Sequence, residues 1–257
     1  MTEKERQVVE EVARRNEPGA NLDRIRELLG TVKVVYTDID GTLVGPLGCF
    51  FRDAAWGLTL EPARVLVAAL ARNLDIMLVS GRHKGQLKEC ARLLGCRNYV
   101  AELGTELVYD LGREVVYNLG GMELTCESVY RTIMDTGAVK LLLDTYPGKV
   151  EMHTPWSDER DCTPLLRGLL DLDQVDRLFA QHGLQRFEVL DNGVISRTSP
   201  TLDVRETRAY HLVPRGVSKD RAVLKDREIR GLKKDETVAV GDAEADLPFS
   251  QVAGCLR

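Results

Sequence analysis

A chain of 257 residues, 44% hydrophobic and 29% charged, is long enough for one large or two modest domains and has the composition of a globular protein, which excludes a disordered one. Its formal charge of −5 argues against a nucleic-acid surface, which needs clustered Lys and Arg, and leaves room for a small anionic substrate held by a few local cations. No apolar run approaches the roughly 20 residues of a membrane helix, and the opening MTEKERQVVE is charged where a signal peptide is apolar, so a cytoplasmic protein without a membrane partner is expected. The cysteines Cys49, Cys90, Cys96, Cys126, Cys162 and Cys255 are scattered with no C-x-x-C pair, as reduced thiols would be in that compartment.

The first 30 residues read as a helical extension: a Glu/Arg-rich stretch, a break at Asn16-Glu17-Pro18-Gly19, and a short helix opened by Asn21 and closed by Gly30. Residues 32–37 are dominated by β-branched and aromatic side chains and stop at acidic and glycine residues, the pattern of a buried strand. A helix is expected from about Glu61, with Pro62 in its first turn and Val65, Leu66, Ala69 and Leu70 along one face. Residues 74–79 form the next strand, residues 84–94 an amphipathic helix stopped by Gly95, and residues 98–101 a further short strand. Strands alternating with helices of this length imply right-handed crossovers and a parallel sheet, whose ligands lie beyond the carboxyl ends of the strands. Asp38 and Ser80 each fall at such an end.

From about residue 113 to 207 the rhythm changes. A helix is expected over residues 122–136 and another over 174–182, and Asp191-Asn192-Gly193 reads as a turn joining two strand-like runs. The α/β rhythm then resumes with a strand near residues 209–213, a helix from Ser218, a strand over 237–240 and a helix near Glu244. The expected fold is therefore α/β: a Rossmann-like parallel core over residues 31–115 and 208–257, an inserted α+β cap domain over residues 116–207, and the helical extension at 1–30.

The sharpest local signal is Asp38-Ile39-Asp40-Gly41-Thr42, directly after the first strand. Residues two apart on an extended segment point the same way, so Asp38 and Asp40 converge on one group, and Gly41 lets the backbone and the Thr42 N–H approach phosphate oxygens closely. Ser80-Gly81-Arg82 follows the second strand and on its own is an ordinary turn. Gly216-Val217-Ser218-Lys219-Asp220 opens a helix, where a lysine is poorly placed for the helix dipole unless it serves an anion. Gly241-Asp242-Ala243-Glu244-Ala245-Asp246 follows the last strand.

These four motifs, in this order, resemble those of the haloacid dehalogenase superfamily of phosphohydrolases over about residues 32–250. An insertion between the second and third motifs resembles the Cof-type branch, which includes trehalose-phosphate, sucrose-phosphate and mannosyl-3-phosphoglycerate phosphatases and the phosphomannomutases. The resemblance implies Asp38 as nucleophile and Asp40 as acid/base, with the phosphate held by Gly41, Thr42, Ser80, Gly81 and Lys219. It implies Mg2+ held by Asp38, Asp40, Asp242 and Asp246, an oxygen donor set of the kind magnesium prefers. The activity it implies is hydrolysis of a small phosphorylated metabolite, a sugar phosphate or phosphoglycerate derivative, through an aspartyl-phosphate. Ala101-Glu102-Leu103-Gly104 and Leu107-Val108-Tyr109-Asp110 resemble the strand and hairpin that lead into the cap of that branch. Leu103 stands where Asn is usual, and so does Ala245, before the last acid. Members of the branch usually continue past the fourth motif with another strand and helix, whereas this sequence ends at Arg257.

Glu151, His153, Arg197 and Arg205 are the polar candidates of the insertion, each read as an ordinary surface residue, and His83 reads as a solvent-facing helix residue. The alternatives are a phosphomutase of the phosphomannomutase type, which returns the phosphoryl group to a sugar, and a non-catalytic binding protein that retains the fold. No G-x-x-x-x-G-K-[ST] stretch supports a Walker-type nucleotide hydrolase.

Overall fold

The computed structural model describes residues 30–195, 199–243 and 246–254. The expected extension, apart from Gly30, lies outside the described residues, as do Arg197, Cys255 and the Glu244 around which a helix was expected. The described chain runs β1 (Val34–Thr37), α1 (Glu61–Leu70), β2 (Asp75–Val79), α2 (Lys84–Leu94), β3 (Asn98–Ala101), β4 (Glu106–Tyr109) and β5 (Glu114–Tyr117). It continues through α3 (Val129–Asp135), α4 (Ala138–Thr145), β6 (Val150–Met152), β7 (Leu165–Gly168), α5 (Leu172–Gln181), β8 (Phe187–Val194) and β9 (Arg208–Pro214). It closes with α6 (Lys219–Arg230), β10 (Thr237–Val240) and α7 (Phe249–Val252).

Two sheets organise these elements. The first has the order β10-β1-β2-β3-β4-β5, parallel from β10 to β3 and antiparallel at β4 and β5. Both of its faces are covered, and the alternation of strand side chains shows it. On β2, Met77 and Val79 join Tyr36, Val100, Ala222 and Val223 on one side, while Ile76 and Leu78 join Leu66, Leu87 and Ala91 on the other. Helix α2 ends where expected, at Gly95 in the left-handed conformation with φ 74°.

Helix α6 is anchored under this sheet by a buried carboxylate. Asp226 has no solvent exposure and accepts hydrogen bonds from the Tyr36 hydroxyl on β1 (2.6 Å) and the Tyr109 hydroxyl on β4 (2.8 Å). The helix is thereby fixed to two strands, and its first residue is placed at the carboxyl end of β1.

The second sheet has the order β6-β7-β9-β8 and is antiparallel throughout. Helices α3, α4 and α5 cover one face, where Ile133, Leu142, Val175 and Phe179 pack on Leu166, Tyr210 and Leu212. Four expectations change. The segment 208–214 does not rejoin the core: β9 lies between β7 and β8, because hydrogen bonding pairs Leu165 with His211 and Val189 with Leu212. At its other end the first sheet runs two residues beyond the expected boundary, through Tyr117.

The helix expected over 122–136 begins only at Val129. The Ser128 side chain caps it by accepting from the Arg131 N–H (3.2 Å), and the Thr132 hydroxyl takes the Thr125 N–H (3.3 Å), which holds the preceding residues in a non-helical loop. Asp191-Asn192-Gly193 does not join two strands. β8 passes through it with a bulge opposite β9, Gly193 taking φ 93° while Asp191 accepts the Gly193 N–H (2.8 Å). The helix α4, opened at Gly137, carries buried Ala138, Val139 and Leu142 and was not anticipated.

The two sheets are tied at a buried clasp. Glu102, after β3, accepts the Asp161 N–H (2.9 Å), the Thr163 N–H (2.5 Å) and the Thr163 hydroxyl (2.7 Å). Leu103 beside it sits at φ 56°, a left-handed conformation that costs an L-residue roughly 1 kcal/mol and that Asn, usual at this place, tolerates better. Gly104 follows at φ 106°, and a side chain there would lie 2.2 Å from the Ser218 carbonyl oxygen, so only glycine allows this turn to press against the start of α6. No helix among the described residues is long and apolar enough to cross a membrane.

Replacing Asp226 with Ala leaves the buried Tyr36 hydroxyl and the part-buried Tyr109 hydroxyl without their acceptor and is expected to lower unfolding free energy by about 2–4 kcal/mol. Urea denaturation of Asp226→Ala checks this; a loss within about 0.5 kcal/mol, the ordinary range of a surface substitution, contradicts the anchoring role.

Candidate active site

β1 delivers Asp38 into the space beyond its carboxyl end, and the Asp38 N–H still pairs with the Val240 carbonyl of β10 (2.9 Å). Its carboxylate is nearly buried at 5% exposure. Lys219, the first residue of α6, is buried too, and its ammonium donates to Asp38 Oδ1 (2.9 Å) and to Asp246 Oδ1 (2.8 Å). The turn after β1 and the turn after β10 interlock. Thr42 donates its hydroxyl to Asp242 Oδ1 (2.7 Å), and a side chain at Gly41, which has φ 92°, would lie 2.1 Å from Asp242 Oδ2. The positive φ is what favours glycine there, and its lack of a side chain leaves room for the Asp242 carboxylate.

Asp38, Asp242 and Asp246 each present an oxygen, all within 4.8 Å of one another. Three carboxylates facing one lysine leave excess negative charge, and an all-oxygen set of this size fits a hard divalent cation such as magnesium. The Asp40 carboxylate, also expected at the metal, lies outside this group. Its half-exposed side chain is gripped by Arg82, which donates Nε to Oδ2 (2.8 Å) and Nη2 to Oδ1 (2.6 Å). Ser80 is buried beside it and its Oγ accepts the Arg82 N–H (3.2 Å).

Burial pushes the Asp38 carboxyl up to about 6, against the pull of the Lys219 ammonium. Burial by itself would lower the Lys219 pKa, but Asp38 and Asp246 outweigh it and hold the ammonium above its ordinary value. Near neutral pH the pair is a carboxylate and an ammonium, hydrogen bonded and largely dry.

A cavity of about 1000 Å³ lies over these groups, lined below by Asp38, Asp40, Ser80, Gly81, Arg82 and Lys219. The second sheet forms its other wall with His153, Trp156, Arg160, Asn192, Arg208 and His211. Arg160 crosses between the two, donating to the Gly81 carbonyl (2.5 Å) and to the Thr163 carbonyl (3.2 Å).

His153 is a correction to the surface reading: it is buried at 8% exposure and faces the cavity, its backbone N–H bonded to Leu165 of β7. Glu151 is engaged with Arg167, Ser199 and Thr201, and Arg205 is exposed as expected. His83 caps α2, its ring Nδ1 accepting the Gly85 N–H (3.2 Å), a role that helix periodicity does not reveal. Arg82, Arg160, Arg208 and His211 were not anticipated as site residues. Arg160 sits in a charge run typical of a solvated loop, and the apolar run around His211 does not show which sheet its strand enters.

Burial lowers the His153 pKa from 6.5 to about 4, with Arg167 and Arg160 acting in the same direction. Between those values the unfolded chain binds a proton that the folded chain does not, so His153 withdraws stability as pH falls from about 6.5 to about 4. The midpoint of thermal unfolding of His153→Gln is therefore expected to drop less than that of the parent chain between about pH 7 and about pH 5. An equal drop in both contradicts the assignment.

No family model matches the chain. A phosphoglycolate phosphatase from Methanoculleus marisnigri is 26% identical over 225 residues, covering 87% of this chain and 82% of that protein. A phosphoglycolate phosphatase from Methanopyrus kandleri is 27% identical over 223 residues, covering 86% and 81%. Among solved structures, a haloacid dehalogenase-like hydrolase from B. subtilis superposes with a TM-score of 0.54 at 15% identity, over 88% of each chain. The chain has the haloacid dehalogenase-like fold, that of the superfamily its four motifs resemble.

Proposed function

We propose that this protein is a magnesium-dependent phosphatase that hydrolyses a small phosphomonoester through an aspartyl-phosphate on Asp38. The observation that carries the reading is the buried Asp38 carboxylate, held by Lys219 within the group formed with Asp242 and Asp246, at the floor of a cavity whose other wall is the second sheet. The similarity to phosphoglycolate phosphatases supports the class of reaction.

Asp38 Oδ1 is engaged by Lys219, which leaves the other oxygen to attack phosphorus in line with the departing alkoxide. The P–O bond to the leaving group breaks as the bond to Asp38 forms. Asp40 donates a proton to the leaving oxygen and then takes one from the water that cleaves the aspartyl-phosphate. Arg82 orients Asp40 by holding both of its oxygens, and it has to yield one of them for these transfers. Ser80 and the backbone at Gly41 and Thr42 bind the phosphoryl oxygens, and the Lys219 ammonium neutralises their charge. Asp38, Asp242 and Asp246 would hold a magnesium ion, which would supply further neutralisation and alignment. The cap wall excludes bulk water and meets the leaving group.

A cavity of about 1000 Å³ is at the upper end of the range that houses drug-sized ligands, which favours a sugar phosphate or phosphoglycerate derivative over a two-carbon acid.

Release of inorganic phosphate from sugar phosphates, phosphoglycerates, phosphoglycolate and p-nitrophenyl phosphate is expected only with magnesium, to fall to background with a chelator, and to drop ~10³-fold or more in Asp38→Asn. Turnover retained by Asp38→Asn sinks the scheme. A phosphorylated protein that passes its phosphoryl group to a sugar without releasing phosphate replaces the phosphatase with a mutase.

A further inference from the structure

His211 lies on β9 opposite Leu165 of β7 and Leu190 of β8, on the face of the second sheet turned toward Asp38. Its neighbours Tyr210 and Leu212 point the other way, into the core beneath the cap helices, whereas Ala209 and His211 line the cavity. The side chain is wholly buried, and its Nδ1 is 2.9 Å from the Thr163 hydroxyl oxygen.

The hydrogen-bond chain behind it decides which ring nitrogen carries the proton. Glu102 takes two backbone N–H groups, from Asp161 and Thr163, and is therefore an acceptor. The Thr163 hydroxyl has one hydrogen and donates it to the same carboxylate (2.7 Å), so toward His211 that oxygen can only accept. Nδ1 must be the protonated nitrogen, and Nε2 is left with a lone pair. Nε2 has no hydrogen-bond partner among the described residues, although it is buried. Burial, together with Arg160, Lys219 and His153, keeps the ring neutral. Buried polar atoms are almost always paired, and an unpaired ring nitrogen on a residue that lines the cavity is a free acceptor, which a donor from the cavity meets once the side chains over it shift aside.

We propose that His211 is a specificity-determining residue whose Nε2 accepts a hydrogen bond from a hydroxyl group on the leaving group of the substrate. The inference rests on the phosphatase reading above and narrows its substrate class. An ionised carboxylate such as that of phosphoglycolate offers no donor, whereas a sugar, polyol or glycerate phosphate does. Glu102 and Thr163 are positioning residues here: they fix the tautomer through the same contacts that clasp the two sheets.

The test is a matched pair, glycerol 3-phosphate and n-propyl phosphate, compared by kcat/KM with magnesium in the parent chain and in His211→Phe and His211→Gln. A site built to pair a substrate hydroxyl is expected to prefer glycerol 3-phosphate by at least ~10²-fold. His211→Phe brings the ratio to within about tenfold of unity, and His211→Gln, whose amide oxygen can replace Nε2, recovers part of it. Any effect on the shared chemistry divides out of this ratio. Equal turnover of the pair by the parent chain overturns the proposal, as does an unchanged ratio in His211→Phe.

Nitrogen-15 NMR of histidine-labelled protein gives a second reading that needs no turnover, the His211 resonances being assigned among those of the four histidines by their loss in His211→Phe. It is expected to show a protonated Nδ1 and a bare Nε2 whose resonance moves with glycerol 3-phosphate and not with propyl phosphate. A protonated Nε2, or a resonance unmoved by either ester, overturns the proposal. Absence of phosphate release from p-nitrophenyl phosphate by the parent chain with magnesium overturns the phosphatase reading instead, and the NMR result still decides the role of His211.

Discussion

The buried ammonium of Lys219 is the contact on which the rest of the site depends. It joins Asp38 at the end of β1, its own helix α6, and Asp246 after β10, three segments that are remote in sequence. Burying such charges is favourable only when each is paired, and removing one partner from a buried pair typically costs about 3–5 kcal/mol because a bare charge stays behind. The elements that carry them must therefore arrive together. The parallel pairing of β10, β1 and β2 sets the heights of Asp38 and Ser80, and the Asp226 anchor sets the position of α6.

The same arrangement leaves more negative charge than Lys219 can cancel. Thr42 holds the Asp242 carboxylate and Lys219 holds that of Asp246, so both stay close to Asp38 although the three repel one another. A cation that relieves it gains affinity from a structure already organised for it. The second sheet forms the other wall of the cavity above these groups. It is attached through Glu102, Arg160 and Thr163, and His153, just after β6, and His211, on β9, flank Leu165 of β7 over the site.

The motifs legible in the sequence are those whose meaning is local. Asp38, Gly41 and Thr42 follow one strand within a few residues, so strand periodicity alone puts them at a carboxyl end, and Lys219 was readable as the first residue of a helix. Arg82 stood next to Ser80 but gave no sign that it would reach Asp40, because that contact depends on how two separate turns face each other. His211 was hidden for a stronger reason. The apolar run of β9 shows that a strand is there but not which sheet it enters, and placing it in the core turned a cavity wall into an ordinary interior strand. The helix expected over 122–136 failed at Ser128, where a capping hydroxyl outweighed helical periodicity.

The most direct measurement of the central claim is to quench turnover with acid, reduce with borohydride and map the product by mass spectrometry, since an aspartyl-phosphate is reduced to homoserine. The account predicts homoserine at position 38 alone, formed only when substrate and magnesium are both present. Homoserine at Asp40, Asp242 or Asp246, or none during active phosphate release, would contradict Asp38 as the residue that takes the phosphoryl group.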